Sequence, residues 1–186
     1  MAGIDDLARE YERFVAVPWP NGLSPAERVW FALYAPEQER RLRRRLADFE
    51  QRTLRANHAW NLVDLTDTFA RWMASHPNRD EYFSAPDFLE EAALESFAET
   101  CAAQLAQVLT APATDAATVV AVHGIASIFG VARVSQIIER VAPDIRGRLL
   151  VFFPGEYADH RYRLLDARDG WNYRATPIIA GEGTAL

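Results

Sequence analysis

The amino-acid sequence predicts an α/β fold: a three-layer, Rossmann-like domain with a mainly parallel sheet and an irregular or antiparallel C-terminal edge. Three observations carry that expectation. The runs VWFALY, TVVAVHG and RLLVFFPG are almost wholly apolar, as strands are when helices cover both faces of their sheet. Between them lie segments with apolar residues at helical spacing. Strand and helix alternate, which implies right-handed crossovers between parallel strands. At 186 residues, 49% apolar and without repeats or a shift in composition, the chain suits a single domain over 1–186, with an N-terminal helix and proline-rich arm over about 1–28.

Each element follows from its own pattern. Ile4, Leu7, Tyr11, Phe14 and Val15 recur at intervals of three and four, predicting a helix that packs by that stripe. Pro18, Pro20 and Pro25 cannot sit inside a helix or central strand, and Asn21-Gly22 favours a turn, so VPWPNGLSPAERV is a loop or arm. VWFALY from Val29 is the first strand, and APEQERRLRRRLADFEQRTL a helix with Leu42, Leu46, Phe49 and Thr53 on one stripe. WNLVDL (60–65) is the second strand, and TDTFARWMASH a helix in which Phe69, Trp72 and Met73 share a face.

Pro77, Asn78 and Pro86 place a connection over 77–87. A helix beginning at Ser84 or Asp87 then runs to about residue 110, stopped by Ala111-Pro112. Its expected buried stripe starts at Phe88 and Leu89 and continues through Ala92, Leu94, Phe97, Cys101, Leu105, Val108 and Leu109. TVVAVHG is the third strand, ending at Gly124, and VARVSQIIERV a helix ending near Pro143. RLLVFFPG is the fourth strand, with a turn expected at Pro154-Gly155, and YRLLDARDGWNYRATPI reads as a hairpin turning at Asp169-Gly170.

Composition removes whole classes of chemistry. All 20 basic residues are arginine, which excludes a Schiff-base lysine, a lysine general base and the lysine of a phosphate-binding loop. The single cysteine, Cys101, excludes internal disulfides and CxxC sites, and its apolar neighbours predict a buried thiol. A net charge of −6 argues against a general nucleic-acid coat. No apolar run reaches the roughly 18 residues of a membrane span, and the start MAGIDDLAREYERF is unlike a signal peptide, so a cytoplasmic protein without a membrane contact is expected.

In doubly wound sheets, ligands sit beyond the carboxyl ends of the strands. His123, Gly124, Ser127 and Gly130 mark the third strand end and form the one candidate ligand loop, for a nucleotide-binding or hydrolytic enzyme. Its glycines are one residue too far apart for a phosphate loop, and no lysine follows. The plainer reading gives Gly124 a tight turn, Gly130 a positive φ or close packing, and His123 a structural hydrogen bond to backbone. Asp64 and Asp67, three apart, are cation candidates but also ordinary caps for the following helix. The four histidines show no metal-ligand spacing, and Ser127 lacks a nucleophile-elbow context, so no catalytic, cofactor or metal residue is assigned.

Two further stretches suit protein recognition. Arg40, Arg41, Arg43, Arg44 and Arg45 concentrate positive charge on one helix, with Glu37–Arg41 and Arg44–Asp48 as expected i,i+4 pairs. The arrangement reads as a solvated face, with Arg41, Arg44 and Arg45 as docking candidates for an acidic protein. DNA phosphates are the other ligand such a face could take, but no aromatic residues interleave with these arginines, so a base-stacking platform is not indicated. In the tail, Arg161, Arg163, Arg168 and Arg174 alternate with aromatic residues that include Trp171 and Tyr173. Arginine and large aromatics are the residue types enriched at interface hot spots.

Taken together, PWPNGLSPAERVWFALYAPEQERRLRRRLADFE, WNLVDLTDTFARWMA, VVAVHGIASIFGVARVSQII, RGRLLVFFPGEY and YRLLDARDGWNYRATPI resemble BrxB, a small component of bacterial bacteriophage exclusion (BREX) defence systems. The similarity spans almost the whole chain and is most specific in RGRLLVFFPGEY and LLDARDGWNYRATPI. It implies a non-enzymatic accessory subunit, without a cofactor, of a system that methylates host DNA at defined sites and blocks phage replication. It also implies a protein partner, the large phosphatase-like PglZ component. The family offers no catalytic motif to carry onto this sequence, and self-association is left open.

Overall fold

Residues 3–158, 161–164 and 175–181 are described by the structure, a computed structural model. Among them six strands form the sheet: β1 (Val29–Tyr34), β2 (Ala59–Asp64), β3 (Thr118–His123), β4 (Arg148–Ala158), β5 (Arg161–Leu164) and β6 (Thr176–Ile179). The order is β2-β3-β4-β1-β6 with every neighbouring pair parallel, while β5 runs antiparallel to the far end of β4. The helices are α1 (Ile4–Ala16), α2 (Glu39–Arg55), α3 (Thr68–Ser75), α4 (Arg79–Ser84), α5 (Glu91–Leu109) and α6 (Val134–Val141). The fold is therefore the α/β class that the alternation predicts. None of the described helices is long and apolar enough to cross a membrane.

Strand alternation divides the interior into two cores. Val29, Phe31 and Leu33 of β1 pack with α3, α5 and α6, whereas Trp30, Ala32 and Tyr34 pack with α1 and α2. Neither face of β1 can be polar, which is why VWFALY carries no alternation. β2 lies at the edge, and only its Val63 is fully buried. Cys101 is fully enclosed beneath α5, and burial pushes its thiol up to about 12.

The proline-rich arm is held by Trp19 and by Arg28, whose Nη1 donates to the Ile145 carbonyl at 2.7 Å. Trp19 stacks flat on His58 with ring centroids 3.7 Å apart, and the Arg148 guanidinium lies 4.5 Å from the same indole and 5.4 Å from that of Trp30. Arg148 is 5% exposed and has no carboxylate partner among the described residues. Burial, with Arg28 nearby, pulls its pKa down to about 10. Its Nη1 donates to the Gly147 carbonyl at 3.0 Å, and the indole faces take the place of a counter-ion.

Four local expectations are corrected. The connection over 77–87 holds the short helix α4 and a 3₁₀ turn at Pro86–Phe88, so α5 starts only at Glu91 and Phe88 stands 56% exposed instead of in the core. Pro86 with Glu90-Glu91 delays the helix, because the backbone before the long apolar stripe turns away from it. Pro154-Gly155 is not a turn: β4 continues through it and changes partners there. Pro154 ends the register with Tyr34 of β1, and Gly155 opens the pairing with Leu164 of β5. A side chain on Gly155 would collide with the Arg163 carbonyl, so only glycine allows the strands so close. Lastly, Arg161–Leu164 pairs antiparallel with β4, and Thr176–Ile179 joins the parallel sheet beside β1 instead of pairing with β5; residues 171–174 of the expected hairpin lie outside the described residues. The tail's periodicity shows two strands but not their partners. The expected turn at Asp169-Gly170 lies outside the described residues.

Candidate functional site

The carboxyl ends of β1, β2 and β3 bring together a group of ionisable side chains. Tyr34, the last residue of β1, donates its hydroxyl to the Glu39 carboxylate at the start of α2, and Arg43 Nε donates to the other Glu39 oxygen at 2.8 Å. Burial, then the Glu39 acceptor, raises the Tyr34 pKa far above its ordinary 10.0. The parallel register sets Asp64 of β2 beside His123 of β3, with Oδ1 and Nε2 3.5 Å apart. Asp64 Oδ1 also accepts the Thr66 N–H at 2.8 Å, the local turn that launches the segment toward α3. Asp67 occupies the N-cap position of α3 but makes no side-chain cap bond.

Electrostatics assigns the protonation states. Burial alone would raise Asp64, but the Thr66 hydroxyl and N–H, His123 and Arg43 together hold it below its ordinary 3.8. Burial is the main influence on His123 and lowers it from 6.5, with Arg43 acting the same way against Asp64 and Glu39. A neutral imidazole thus faces an ionised carboxylate, with His123 only 6% exposed. The Nδ1 of His123 has no hydrogen-bond partner, so the expected bond from His123 to backbone is absent at that atom.

An imidazole beside a carboxylate is one half of an acid–base site. Among the described residues, no hydroxyl or thiol side chain is hydrogen-bonded to this imidazole. Ser127 lies in the 3₁₀ turn Ile125–Ile128, and no hydrogen bond joins it to His123. Ile125 and Ile128 are buried, which turns this loop into the core. Gly124 has φ +82°, and a Cβ there would lie 2.5 Å from the Thr66 nitrogen, so the β2–α3 connection packs directly against this glycine and leaves no room for a side chain. Gly130 also has positive φ, at +79°, but faces open space, and three residues separate it from α6. Gly124 and Gly130 therefore do not cradle a helix N-terminus. Among the described residues no three His, Cys, Asp or Glu side chains lie close enough to hold a metal.

The arginine helix is partly neutralised from within. Arg41 pairs with Asp5 of α1, Arg45 with Asp5 at 3.3 Å and Asp48 at 3.0 Å, and Arg43 with Glu39. The expected pairs Glu37–Arg41 and Arg44–Asp48 do not form. Glu37 lies in the turn Pro36–Gln38 ahead of the helix, and Asp48 turns to Arg45. Arg44 is exposed and makes no ion pair within 4.0 Å among the described residues.

The C-terminal candidates divide. On β5, Arg161 and Arg163 are exposed to either side of Tyr162, which is 1% exposed and donates its hydroxyl to the Ala175 carbonyl at 2.6 Å. Arg163 lies 3.7 Å from Glu156 across the ribbon. Phe152 and Phe153 belong to the two cores. Arg168, Trp171, Tyr173 and Arg174 lie outside the described residues.

One feature escaped the periodicity. A cleft of about 400 Å³ opens between α4 and the start of α5, walled by His76, Tyr82 and Phe88 and edged by Glu81 and Glu90. The usable signal was the proline-bounded segment with more acidic residues than its neighbours, which suits a surface lobe better than the head of a buried helix. No family model, no curated protein and no solved structure matches the chain.

Proposed function

We propose that the protein is a non-enzymatic adaptor of a BREX-type anti-phage system, acting as BrxB does in supporting phage restriction and host DNA methylation by binding a PglZ-type component in the cytoplasm. The observation that carries this reading is the β4–β5 ribbon. It is built from RGRLLVFFPGEY and the residues just after it, the most specific part of the resemblance. β4 outruns its parallel neighbours, and among the described residues Gly155–Ala158 pair only with β5. Tyr162 anchors the ribbon in the core against Phe31, at 4.4 Å between centroids, which leaves Arg161 and Arg163 facing outward. A core-anchored ribbon with outward guanidiniums suits docking, because it presents planar, multidentate donors to a partner's carboxylates.

The test is co-expression with the PglZ-type protein, followed by size-exclusion chromatography with light scattering. A stable co-eluting complex is expected, and Arg161→Glu with Arg163→Glu should weaken it by roughly tenfold or more, as charge reversal at an interface does. Separate elution at low and moderate salt would remove the reading.

A further inference from the structure

We propose that the cleft between α4 and α5 is a docking site for an arginine-bearing segment of a protein partner. The guanidinium would lie on the Tyr82 and Phe88 rings and pair with Glu81 and Glu90. The proposal rests on the adaptor reading only in requiring a protein partner; its surface is separate from the β4–β5 ribbon.

The chemistry of the walls selects the ligand. Phe97, Trp72, His76 and Tyr82 form a continuous run of ring contacts from the core to the cleft, with successive centroids 5.5, 4.8 and 5.0 Å apart. His76 Nδ1 accepts the Asn78 N–H at 3.2 Å, which fixes the ring's orientation. The wall therefore offers aromatic π faces. Glu81 and Glu90 make no ion pair within 4.0 Å among the described residues, and Glu90 at the N-cap of α5 makes no capping bond with its side chain. Free carboxylates beside open aromatic faces are what a planar guanidinium satisfies, by bidentate hydrogen bonds and stacking together.

Charge and exposure select the source. Residues 79–99 hold seven carboxylates and one arginine, and that arginine is spent on Asp80 while Arg140 takes Glu95 and Glu99. Glu81, Asp87, Glu90 and Glu91 are left to attract a cation from outside. Phe88, which lines the cleft, is 56% exposed, an apolar ring that a free small cation would leave wet. Neither α4 nor the turn after it buries a single residue. Within α2 of this chain, Arg41, Arg43 and Arg45 are already held by its own carboxylates, and light scattering tests a second copy as the occupant. At about 400 Å³ the space accepts one long side chain and its neighbours.

The experiment titrates the full chain, labelled with nitrogen-15, with a synthetic leucine/arginine peptide and with the same peptide carrying citrulline, the neutral analogue of arginine. The arginine peptide should shift the amides of Tyr82, Phe88 and Glu90 and bind at least about tenfold more tightly than the citrulline peptide, since its hydrogen bonds are charge-assisted. Glu81→Gln with Glu90→Gln should abolish that difference, and Phe88→Ala should weaken the arginine peptide with the protein still folded. Equal affinity for both peptides, shifts confined to other faces, or a dimer in light scattering that the peptide dissociates would each overturn the proposal. Co-elution with the PglZ-type protein separates the two readings. If the peptide binds in the cleft and the PglZ-type protein elutes apart, only the adaptor reading fails. If that protein co-elutes equally with the double variant and the peptide does not bind, only the cleft reading fails.

Discussion

Gly124 shows how much one residue decides at the end of β3. Its φ of +82° is strained for any side chain, and a Cβ would meet the Thr66 backbone. Gly124→Ala should therefore destabilise the fold by about 3 kcal/mol, combining left-handed strain with displacement of the β2–α3 connection, and a urea titration reads it directly. His123 next to it gives the protein a pH dependence. Its pKa is lowered in the folded chain, so the unfolded chain binds the proton more readily. Stability is then fully present above the ordinary value of 6.5 and declines as pH falls through and below it. Asp64, also lowered, adds a second loss only when pH passes below its own ordinary 3.8. His123→Gln should flatten the first decline and leave the second, in denaturation midpoints measured across pH. The sequence marks Gly124 and His123 by position alone. The requirement for glycine there comes from Thr66, 58 residues away in the chain and adjacent only once β2 and β3 pair.

At the scale of elements, the arm and the ribbon are each pinned by one aromatic side chain. Trp19 holds the arm by lying against His58 and Arg148. Trp19→Ala should lower stability by about 1–3 kcal/mol and expose the arm near residues 17–28 to limited proteolysis, because a buried guanidinium loses the ring that offsets its desolvation. Sequence reading finds the arm from its prolines, but an arginine at the head of a strand says nothing of the tryptophan that will cover it. In the ribbon, Gly155→Ala should separate β5 from β4, seen as faster amide hydrogen exchange over Arg161–Leu164, while exchange in β1 and β3 changes little. A proline followed by glycine reads locally as a turn. The continuation through it depends on β5 arriving from the other side, which is a tertiary event.

For the whole molecule, charge is arranged in separate zones. The acidic lobe of α4 and early α5, the self-paired arginines of α2, and the outward Arg161 and Arg163 share a chain whose net charge is only −6. Partner binding through the ribbon should weaken steeply as salt rises, because exposed charges are screened within about 8–10 Å at ordinary ionic strength. Arg161→Glu with Arg163→Glu should leave the denaturation midpoint within about 0.5 kcal/mol of the parent while complex formation is lost, since both side chains are solvent-facing. That separation of binding from stability is read by comparing the denaturation curves with co-elution.

The sequence by itself determined the layers. Continuous apolar strands between amphipathic helices can be satisfied only by burying the sheet on both sides, so the class of fold follows from local pattern and the hydrophobic effect. It also determined which chemistry is absent from the side-chain inventory, through the missing lysine and the lone cysteine. Tertiary structure decided what depends on separation in space: the order β2-β3-β4-β1-β6, the partner of β5, the packing of Thr66 against Gly124 and the burial of Arg148 under Trp19. It also decided that Phe88 faces a cleft and not the core. Periodicity reports which side of an element is apolar, but the neighbour that covers that side, or leaves it open, is set by packing between segments remote in sequence.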